Sequence, residues 1–484
     1  MTDETSGGDI DDRIPASLEH REAAEAAYQA LLARAAEQAV EPRLAATRRA
    51  VELLGDPQQS YRVIHITGTN GKGSTARIVD ALLRAHGLRT GTLTSPHLER
   101  VNERIMIDGE PVSDEAFARG YDDIAPFLDI VDAELEAAGE RRLTFFEALT
   151  VLGLATMADA PVDVAVLEVG MGGTWDSTNV ADGDVAIITP IALDHTNRLG
   201  TTLEAIAGEK AGIIKPDAIV VSAAQEPEAL AVLAARSEEV GARLLVEGRD
   251  FALASQAVAV GGQFITVRGL AAAYIDQLLP IMGAHQGANA TLAIVALEAF
   301  LGGGSQPMTA EVLADGLAAT TSPGRLDAVG AHPLVILDAA HNPHGAASLK
   351  AALGEFFGLE SVTLVLGVLA GKDAAGVLTA LEPVVDEVVV TQSTSERALG
   401  ADALAAHAVA VLGADRVLVE PDLATAVETA REAALDRGGA VVVTGSITLL
   451  GDVLAHAREA GWLARPDARR QAATVEVTDE EEQR

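Results

Sequence analysis

The most constraining feature of this 484-residue chain is a glycine-rich turn between an apolar strand and an amphipathic helix. The turn is ITGTNGKGST, Ile66–Thr75, and it joins the strand candidate Tyr61–Thr67 to helical spacing over Ser74–His86. Its three glycines allow close backbone approach to an anion, and the helix N-terminus and Lys72 supply positive charge. We therefore predict a phosphate loop at Gly71, Lys72, Gly73 and Ser74. The alternative is a strand-to-helix turn that binds no ligand.

Strand-like and helix-like segments alternate along the rest of the chain, which is typical of an α/β fold with mostly parallel sheets. Val162–Val169 and Asp184–Thr189 are β-branched runs that suit strands buried on both faces. Gln286–Leu301 has helical spacing, and a new alternation begins after Thr321. Its strand candidates are Leu334–Ala339, Thr363–Val368, Glu387–Gln392, Arg416–Glu420 and Ala440–Gly445.

We predict two folded domains between polar ends. Residues 21–321 form a P-loop-type, mostly parallel sheet domain, and residues 322–464 form a smaller, Rossmann-like doubly wound domain. Residues 1–20 and 465–484 are charged and aperiodic, so we expect both to be disordered tails.

The charge balance restricts the partners. With 35 Lys and Arg against 71 Asp and Glu, the formal net charge is −36, which repels nucleic acid and anionic membranes. The chain has no Cys, so disulfides and thiolate metal sites are excluded. The acidic start and the absence of a long apolar run predict a cytoplasmic protein, and we expect a monomer.

A second motif follows the strand candidate Val162–Val169 and reads LEVGMGGTWDSTNV. Glu168 closes that strand, so its carboxylate should face the crevice at the carboxyl edge of the sheet. Beside a phosphate loop, an acidic group is well placed to hold Mg²⁺ on the phosphates. Asp176 offers a second carboxylate. The alternative for Glu168 is a structural, capped residue.

Two further residues belong to the stretch Ile191–Pro216. His195 follows another strand end and should lie along the same crevice rim, although a lone His there is more often a hydrogen-bonded structural residue. Lys210 lies in an apolar context where burial would favour a neutral, nucleophilic amine. It could instead pair with Glu209 or extend to solvent.

Polar clusters also mark the second domain and two loops of the first. The segment LDAAHNPHG follows the strand Leu334–Ala339 and is expected to face a ligand. The segment TSPHLERVNERI, Thr94–Ile105, is a candidate substrate loop. The segment TFFE, Thr144–Glu147, holds two aromatic rings that could stack on a flat ligand or belong to the core.

In combination these motifs resemble folylpolyglutamate synthase and the bifunctional dihydrofolate synthase/folylpolyglutamate synthase, within the Mur ligase superfamily. The resemblance extends from about Leu53 to Trp462. It rests on TGTNGKGS, TSPHL with NERI, LEVGMGG with WDSTN, DH with LGTT and EKAGIIK, SPGR, DAAHNP and VTGS.

The resemblance implies an ATP- and Mg²⁺-dependent ligase that joins L-glutamate to a folate carboxylate, and also to dihydropteroate, through an acyl phosphate. Another amide ligase of the superfamily, such as a muropeptide ligase, is the alternative. The short segment before the phosphate loop argues against it, because muropeptide ligases usually carry a further domain there.

The resemblance also assigns roles to residues at matching positions. It implies ATP contacts at Gly71, Lys72, Gly73, Ser74, Asn289, Arg325 and Asp338. It implies Mg²⁺ ligands at Ser95, Glu168 and His195, and a lysine carbamylated by CO₂ at Lys210. We predict Lys72, Lys210 and His341 as catalytic residues. Either His341 or a nearby carboxylate would assist deprotonation of the glutamate amine, and the sequence does not decide between them. The implied substrate contacts are Thr144, Phe145, Phe146, Glu147, Trp175, Asp176 and Ser177.

Overall fold

The computed structural model describes residues 16–34, 42–359 and 361–464, and the sheets and helices given below lie within these ranges. The large sheet is built from β1 (Arg62–Thr67), β2 (Thr90–Leu93), β3 (Ile105–Ile107), β4 (Glu110–Pro111), β5 (Val164–Glu168), β6 (Val185–Ile188), β7 (Ile219–Ser222) and β8 (Arg243–Val246). A small antiparallel sheet contains β9 (Ala252–Ala259), β10 (Gly262–Arg268) and β11 (Ala273–Leu279). The C-terminal sheet contains β12 (Asp327–Ala331), β13 (Leu334–Asp338), β14 (Val362–Leu366), β15 (Glu387–Val390), β16 (Val417–Val419) and β17 (Ala440–Thr444).

Helices cover these sheets. Those before residue 320 are α1 (Ala16–Leu32), α2 (Ala45–Leu53), α3 (Lys72–Ala85), α4 (Asp114–Ala137), α5 (Phe145–Asp159), α6 (Thr196–Leu199), α7 (Leu203–Lys210), α8 (Pro227–Val240), α9 (Ala284–Gly302) and α10 (Ala310–Ala318). Those after it are α11 (Pro343–Phe357), α12 (Ala374–Leu381), α13 (Ala401–Leu412), α14 (Leu423–Arg437) and α15 (Ile447–Glu459). Within the described ranges, no helix combines the length and the apolar character needed to cross a bilayer.

Strand β1 lies inside the large sheet, where its residues from Val63 to Thr67 are buried on both faces. The strand order is β4-β3-β2-β5-β1-β6-β7-β8, and β1 runs parallel to β5 and β6. Ile64 and Ile66 pack in one core with residues of α3 and α9, and Val63 packs in a second core with residues of α5. Covering helices on both faces explain why the strand is buried and rich in β-branched residues.

The C-terminal sheet has the order β12-β13-β17-β14-β15-β16, with β12 antiparallel to β13 and the other pairs parallel. The predicted α/β class, with a mostly parallel sheet followed by a smaller doubly wound one, is confirmed. The predicted division at residue 321 falls between the end of α10 and the start of β12.

Two parts of the fold differ from the sequence-based expectation or go beyond it. The antiparallel strands β3, β4 and β9–β11 are not predicted from the sequence pattern. The expected tail over residues 1–20 is wrong at its inner end, because α1 begins at Ala16 and buries Ala24, Ala27 and Leu31 against the first domain. Residues 1–15 and the tail expected at 465–484 lie outside the described residues.

Candidate active site

The turn after β1 leads directly into α3 and requires glycine at two positions. Gly68 has φ 145°, and a Cβ atom there would lie 1.8 Å from the Oγ1 atom of Thr189. Gly71 has φ 90°, and its Cβ atom would lie 2.5 Å from the Oδ1 atom of Asn289. Only glycine fits at either position. The two glycines let the chain turn sharply at the carboxyl edge of the sheet, where open α/β sheets bind ligands.

Lys72 folds back over this turn. Its Nζ atom donates to the carbonyl oxygens of Gly68 and Thr69, both at 3.2 Å. Burial lowers the pKa of Lys72, and the nearby carboxylate of Glu168 acts in the opposite direction. A cation at the first turn of a helix, beside the backbone N–H groups of a glycine-rich loop, can hold a triphosphate.

Glu168 ends β5, the neighbour of β1 in the large sheet. The side chain is only 5% exposed, and its Oε2 atom accepts a hydrogen bond from the main-chain nitrogen of Ser95 at 3.1 Å. A Cβ atom at Gly73 would lie 3.4 Å from the same oxygen. Burial raises the pKa of Glu168, and Lys72 opposes that rise. The structure thus brings Glu168, Ser95 and the phosphate loop together.

His195 follows β6, on the other side of β1, and has φ 49°. Burial lowers the pKa of His195 to about 4, so the imidazole is neutral at pH 7 and keeps a lone pair. Its Nε2 atom lies 3.9 Å from the Oδ2 atom of Asp194. The main-chain nitrogen of His195 also donates to Asp194 Oδ1 at 2.8 Å.

The set Ser95, Glu168 and His195 fits a magnesium ion held mainly through phosphate. Within the described ranges, no three His, Cys, Asp or Glu side chains gather as a metal-binding group. Mg²⁺ commonly takes one or two protein carboxylates and completes its shell with water and substrate phosphates. Glu168 is a buried carboxylate with a raised pKa, so a cation beside it would compensate the cost of its burial.

Lys210 ends α7 and is 4% exposed. Its Nζ atom donates to the carbonyl oxygen of Gly68 at 2.7 Å, so the alternatives of pairing with Glu209 or reaching solvent are wrong. Burial, and to a smaller extent the charge of Lys72, lower the pKa of Lys210 to about 7. A large fraction of the amine is therefore neutral and nucleophilic near pH 7.5.

The C-terminal domain faces this loop. The hydroxyl of Ser322, three residues before Arg325, lies 3.1 Å from the hydroxyl of Ser74. Asp338 ends β13, and its two oxygens accept from the main-chain nitrogens of Leu326 and Ala340 at 3.0 and 2.9 Å. These bonds fix the turn that carries Arg325, so Asp338 has a structural task whatever it contacts in a complex.

Asp194 is the centre of the contacts between the two domains. Its Oδ1 atom accepts from Lys372 Nζ at 3.1 Å, and its Oδ2 atom accepts from Asn342 Nδ2 at 3.3 Å. The Nε2 atom of His341 lies 3.8 Å from the same Oδ2. Although burial raises the pKa of Asp194, the neighbouring His341, His195 and Lys372 side chains hold it below its ordinary value. Asp194 therefore stays ionised.

A second hydrogen-bonded contact between the domains involves the phosphate loop itself. Asn70 Nδ2 lies 2.9 Å from His344 Nδ1, and Asn342 Nδ2 donates to Asn70 Oδ1 at 3.2 Å. Asn289 touches the loop from α9 and donates to Gln286 Oε1 at 3.0 Å. The loop is thus enclosed by side chains from both domains.

The segment predicted to contact substrate through Thr144, Phe145, Phe146 and Glu147 serves largely to start α5. Thr144 and Glu147 form a reciprocal capping box, and Arg43 Nε donates to Glu147 at 2.9 Å. Phe145 is 3% exposed and belongs to the core. Phe146 is half-buried and lies against Gly170, two residues after Glu168. Of the four side chains, Phe146 is the one with ring surface near the site.

The segment Trp175, Asp176 and Ser177 shows a similar division. Asp176 is 3% exposed and accepts from the main-chain nitrogens of Met171 and Thr178, both at 3.0 Å. Burial raises its pKa, which these hydrogen bonds oppose. Ser177 is buried, and Trp175 is half-buried beside Gly172. Asp176 therefore holds the glycine-rich turn in place, and Trp175 keeps accessible ring surface.

Sequence reasoning missed three residues that the structure places at or near this crevice, Asp194, Lys372 and Arg77. Asp194 precedes His195, and Lys372 follows β14 at the carboxyl edge of its sheet. Both positions could have been found from the rule that polar residues after parallel strands meet at one edge. Arg77 lies one turn into α3, with Nη1 at 3.9 Å from the sulfur of Met106, and the sequence carried no signal for it.

Comparisons with known proteins place these observations in a wider context. The Mur ligase middle domain matches residues 66–297, and the domain described as Mur ligase, glutamate ligase domain matches residues 324–447. The chain is 44% identical over 434 residues to the dihydrofolate synthase/folylpolyglutamate synthase of Mycobacterium tuberculosis, which covers 85% of this chain and 89% of that protein. It is 40% identical over 344 residues to the folylpolyglutamate synthase of Lacticaseibacillus casei, with 69% and 78% covered.

Solved structures of similar proteins have the same fold. The folylpolyglutamate synthase of M. tuberculosis complexed with ADP and AMPPCP matches with a TM-score of 0.86 and 42% identity, covering 90% of this chain and 99% of that one. E. coli FolC in complex with DHPP and ADP matches with a TM-score of 0.77 and 30% identity, covering 90% and 98%.

Proposed function

Because the chain belongs to the folylpolyglutamate synthases of the Mur ligase family, we propose that it is an ATP-dependent, ADP-forming ligase that adds L-glutamate to a folate. The observation that carries this proposal is the position of Lys72 above a glycine turn, beside the buried carboxylate of Glu168 and facing the C-terminal domain. We also propose that the enzyme acts in the cytoplasm, where ATP is supplied.

A carboxylate is a poor acyl donor, because its leaving group would be oxide. In the first step a carboxylate oxygen of the acceptor attacks the γ-phosphorus of ATP, the bond to the β-phosphate breaks, and ADP leaves. Lys72 and Arg325 neutralise the charge that spreads over the transferred phosphoryl group. Ser95, Glu168 and His195 would hold Mg²⁺, which would supply further charge neutralisation on the phosphates. The product is an acyl phosphate.

In the second step the α-amine of glutamate attacks the acyl carbon, and phosphate leaves. The amine must lose a proton, and we assign its removal to His341. The Nδ1 atom of His341 lies 2.9 Å from the carbonyl oxygen of Ala339, which can only accept, so Nδ1 carries the hydrogen. Nε2 then carries the lone pair, and ionised Asp194 at 3.8 Å would stabilise the imidazolium that forms. Enclosure between two domains limits hydrolysis of the acyl phosphate.

Lys210 has the chemistry of a carbamylated lysine. Its neutral amine attacks CO₂, the N–C bond forms, and one proton is released, which leaves an N-carboxylate. The position supports this assignment, because Lys210 is buried and its charged form is disfavoured both by burial and by Lys72. A carbamate there would replace a repulsion between two ammonium groups with an attraction.

We propose that dihydropteroate is also an acceptor. Bifunctional relatives support this, since the M. tuberculosis protein is named as both synthases. The rings of Phe146 and Trp175, near the turn after β5, could stack on a flat ligand. The muropeptide alternative has no support in the relatives described above, all of which are named for folate chemistry or for a complex with DHPP.

The test is an ADP-release assay with three acceptors: tetrahydrofolate, dihydropteroate and a muramyl precursor, each with and without L-glutamate. We expect glutamate-dependent release with the first two and none with the third. Lys72→Met should abolish release, and Lys350→Met on α11 is the matched control. Release that does not need glutamate, or that follows the muramyl precursor, would contradict the proposed function.

A further inference from the structure

The loop that carries Ser95 is seated in the C-terminal domain through Leu98. The half-buried side chain of Leu98 packs against the core formed by β12–β15, β17 and helices α14 and α15. A Cβ atom at Gly324, one residue before Arg325, would lie 3.4 Å from Leu98 Cδ1. The first domain therefore places an apolar side chain inside the second, next to a proposed ATP contact.

The backbone of this loop makes an even closer contact. A Cβ atom at Gly451, in α15, would lie 2.0 Å from the carbonyl oxygen of Leu98 and 3.1 Å from its carbonyl carbon. Such an approach is possible only because residue 451 has no side chain. On the rim of the contact, Arg458 of α15 pairs with Glu99 at 2.9 Å.

Hydrogen bonds connect Leu98 to both ends of the loop that carries it. The Glu103 carboxylate accepts from the main-chain nitrogens of Leu98, Glu99 and Arg100 at 2.7, 2.9 and 2.7 Å. Thr94 N also donates to the carbonyl oxygen of Arg104 at 3.0 Å. These bonds close the loop at both ends.

The other end of the same loop reaches the buried carboxylate. Ser95 N donates to Glu168 Oε2, and no other hydrogen bond to the Glu168 carboxylate is found within the described ranges. A shift of Leu98 would thus move the residue that orients Glu168. The same short loop therefore contacts the C-terminal domain through Leu98 and the Glu168 carboxylate through Ser95.

We propose that Leu98 is a positioning residue. Its contacts with Gly451 and Gly324 hold Ser95 and Glu168 in place, so that the divalent cation binds with full affinity only when the C-terminal domain is docked. This inference rests on the proposed function, because it presupposes a metal–nucleotide complex at Glu168. Cation binding would depend on domain docking through the contact between Leu98 of the first domain and Gly451 of the second.

The test compares Gly451→Ala with Gly354→Ala. Both glycines lie inside helices of the C-terminal domain, but a Cβ atom at Gly354 would meet nothing within 4 Å. Each change gains helix propensity, so only the contact with Leu98 differs between them. The readout is the affinity for Mn²⁺, as a stand-in for Mg²⁺, in the presence of AMPPCP, measured by electron paramagnetic resonance.

We expect Gly451→Ala to weaken Mn²⁺ binding about tenfold, within the range of coupling between sites. Gly354→Ala should stay within about twofold of the wild type, the scatter of additivity in such measurements. Far-ultraviolet circular dichroism reports whether the variants are folded. Leu98→Ala, which removes the side chain and leaves the helix intact, should weaken Mn²⁺ binding in the same direction even if Gly451→Ala fails to fold.

Unchanged Mn²⁺ affinity in folded Gly451→Ala, or in Leu98→Ala where the first does not fold, overturns the inference and leaves the proposed function standing. A wild-type protein that binds no Mn²⁺ with AMPPCP, or a Glu168→Gln variant that binds it as tightly as the wild type, contradicts the proposed function itself. The two failures are therefore distinct.

Discussion

Lys72 and Lys210 share a single acceptor, because their Nζ atoms lie 3.2 and 2.7 Å from the same carbonyl oxygen of Gly68. Lys72 reaches it from the start of α3, and Lys210 reaches it from the end of α7. Two ammonium groups on one oxygen repel each other, which contributes to the lowered pKa of Lys210. The pair therefore favours a chemical state in which one of the two lysines is not a cation.

Replacement of Lys210 by Ala should abolish ligase turnover, because the proposed carbamate is lost. Added formate or acetate should restore part of the activity, since a small carboxylate can occupy the space of the missing one. Wild-type protein equilibrated with ¹³CO₂ should show a carbamate carbon resonance that Lys210→Ala lacks. Full activity in Lys210→Ala would rule out the carbamate.

Lys210 should also make the stability of the protein depend on pH. In CO₂-free buffer its pKa is about 7 in the folded protein and 10.5 in the unfolded chain, so the unfolded chain binds more protons between these values. Stability attributable to this group therefore rises with pH over that window, by about 1.4 kcal/mol per pH unit. Below pH 7 the cost of the buried charge is complete.

Lys210→Met removes that cost. Its melting temperature should exceed that of the wild type at pH 7, and the gap should shrink as the pH approaches 10. Thermal unfolding of both proteins at several pH values measures this difference. A gap that is constant with pH would show that Lys210 keeps an ordinary pKa in the folded protein.

The pair Asp194 and Lys372 should act as one unit across the two domains. Their side chains are 13% and 17% exposed, so removal of one partner leaves the other charge poorly solvated. We expect Lys372→Met and Asp194→Asn each to lower kcat/KM at least about tenfold and the double variant to lose little more. Steady-state kinetics of the four proteins measures the coupling. Strictly additive losses would show that the two residues act independently.

Moderate salt should lower the apparent KM for the anionic substrates. ATP, glutamate and folate must approach a protein with a formal net charge of −36, and at about 0.15 M ionic strength that repulsion is screened beyond roughly 8 Å. Initial rates from 10 to 200 mM KCl at fixed free Mg²⁺ measure the effect. A KM that rises steeply over this range would contradict it.

The sequence was sufficient to predict what depends on local pattern. Buried strands such as β1, β5 and β6 are continuous apolar runs, and the glycine loop is specified by Gly68 and Gly71, where no other residue fits. The carboxyl-edge rule then placed Glu168 and His195 beside that loop. These features follow either from residues close together in the chain or from the general rule that the carboxyl ends of parallel strands meet at one edge of a sheet.

The remaining features depend on contacts between distant residues. Nothing near Leu98 in the sequence indicates that its carbonyl oxygen touches Gly451, 353 positions later by numbering. The role of Glu147 as a helix cap paired with Arg43, and of Asp176 as a support of its own turn, depends likewise on hydrogen-bond partners that only the fold reveals. Polar residues in a motif can therefore be structural even where the motif as a whole marks a site.

The central claim is that the acceptor acid is activated as an acyl phosphate, and its most direct test follows the carboxylate oxygen. An acceptor with ¹⁸O in both oxygens of its reacting carboxylate is converted with ATP and L-glutamate, and the released phosphate is analysed by mass spectrometry. The account predicts one ¹⁸O atom in phosphate for each amide bond formed, because the bridging oxygen leaves with the phosphoryl group. Phosphate that carries no label while the amide product accumulates would contradict the account.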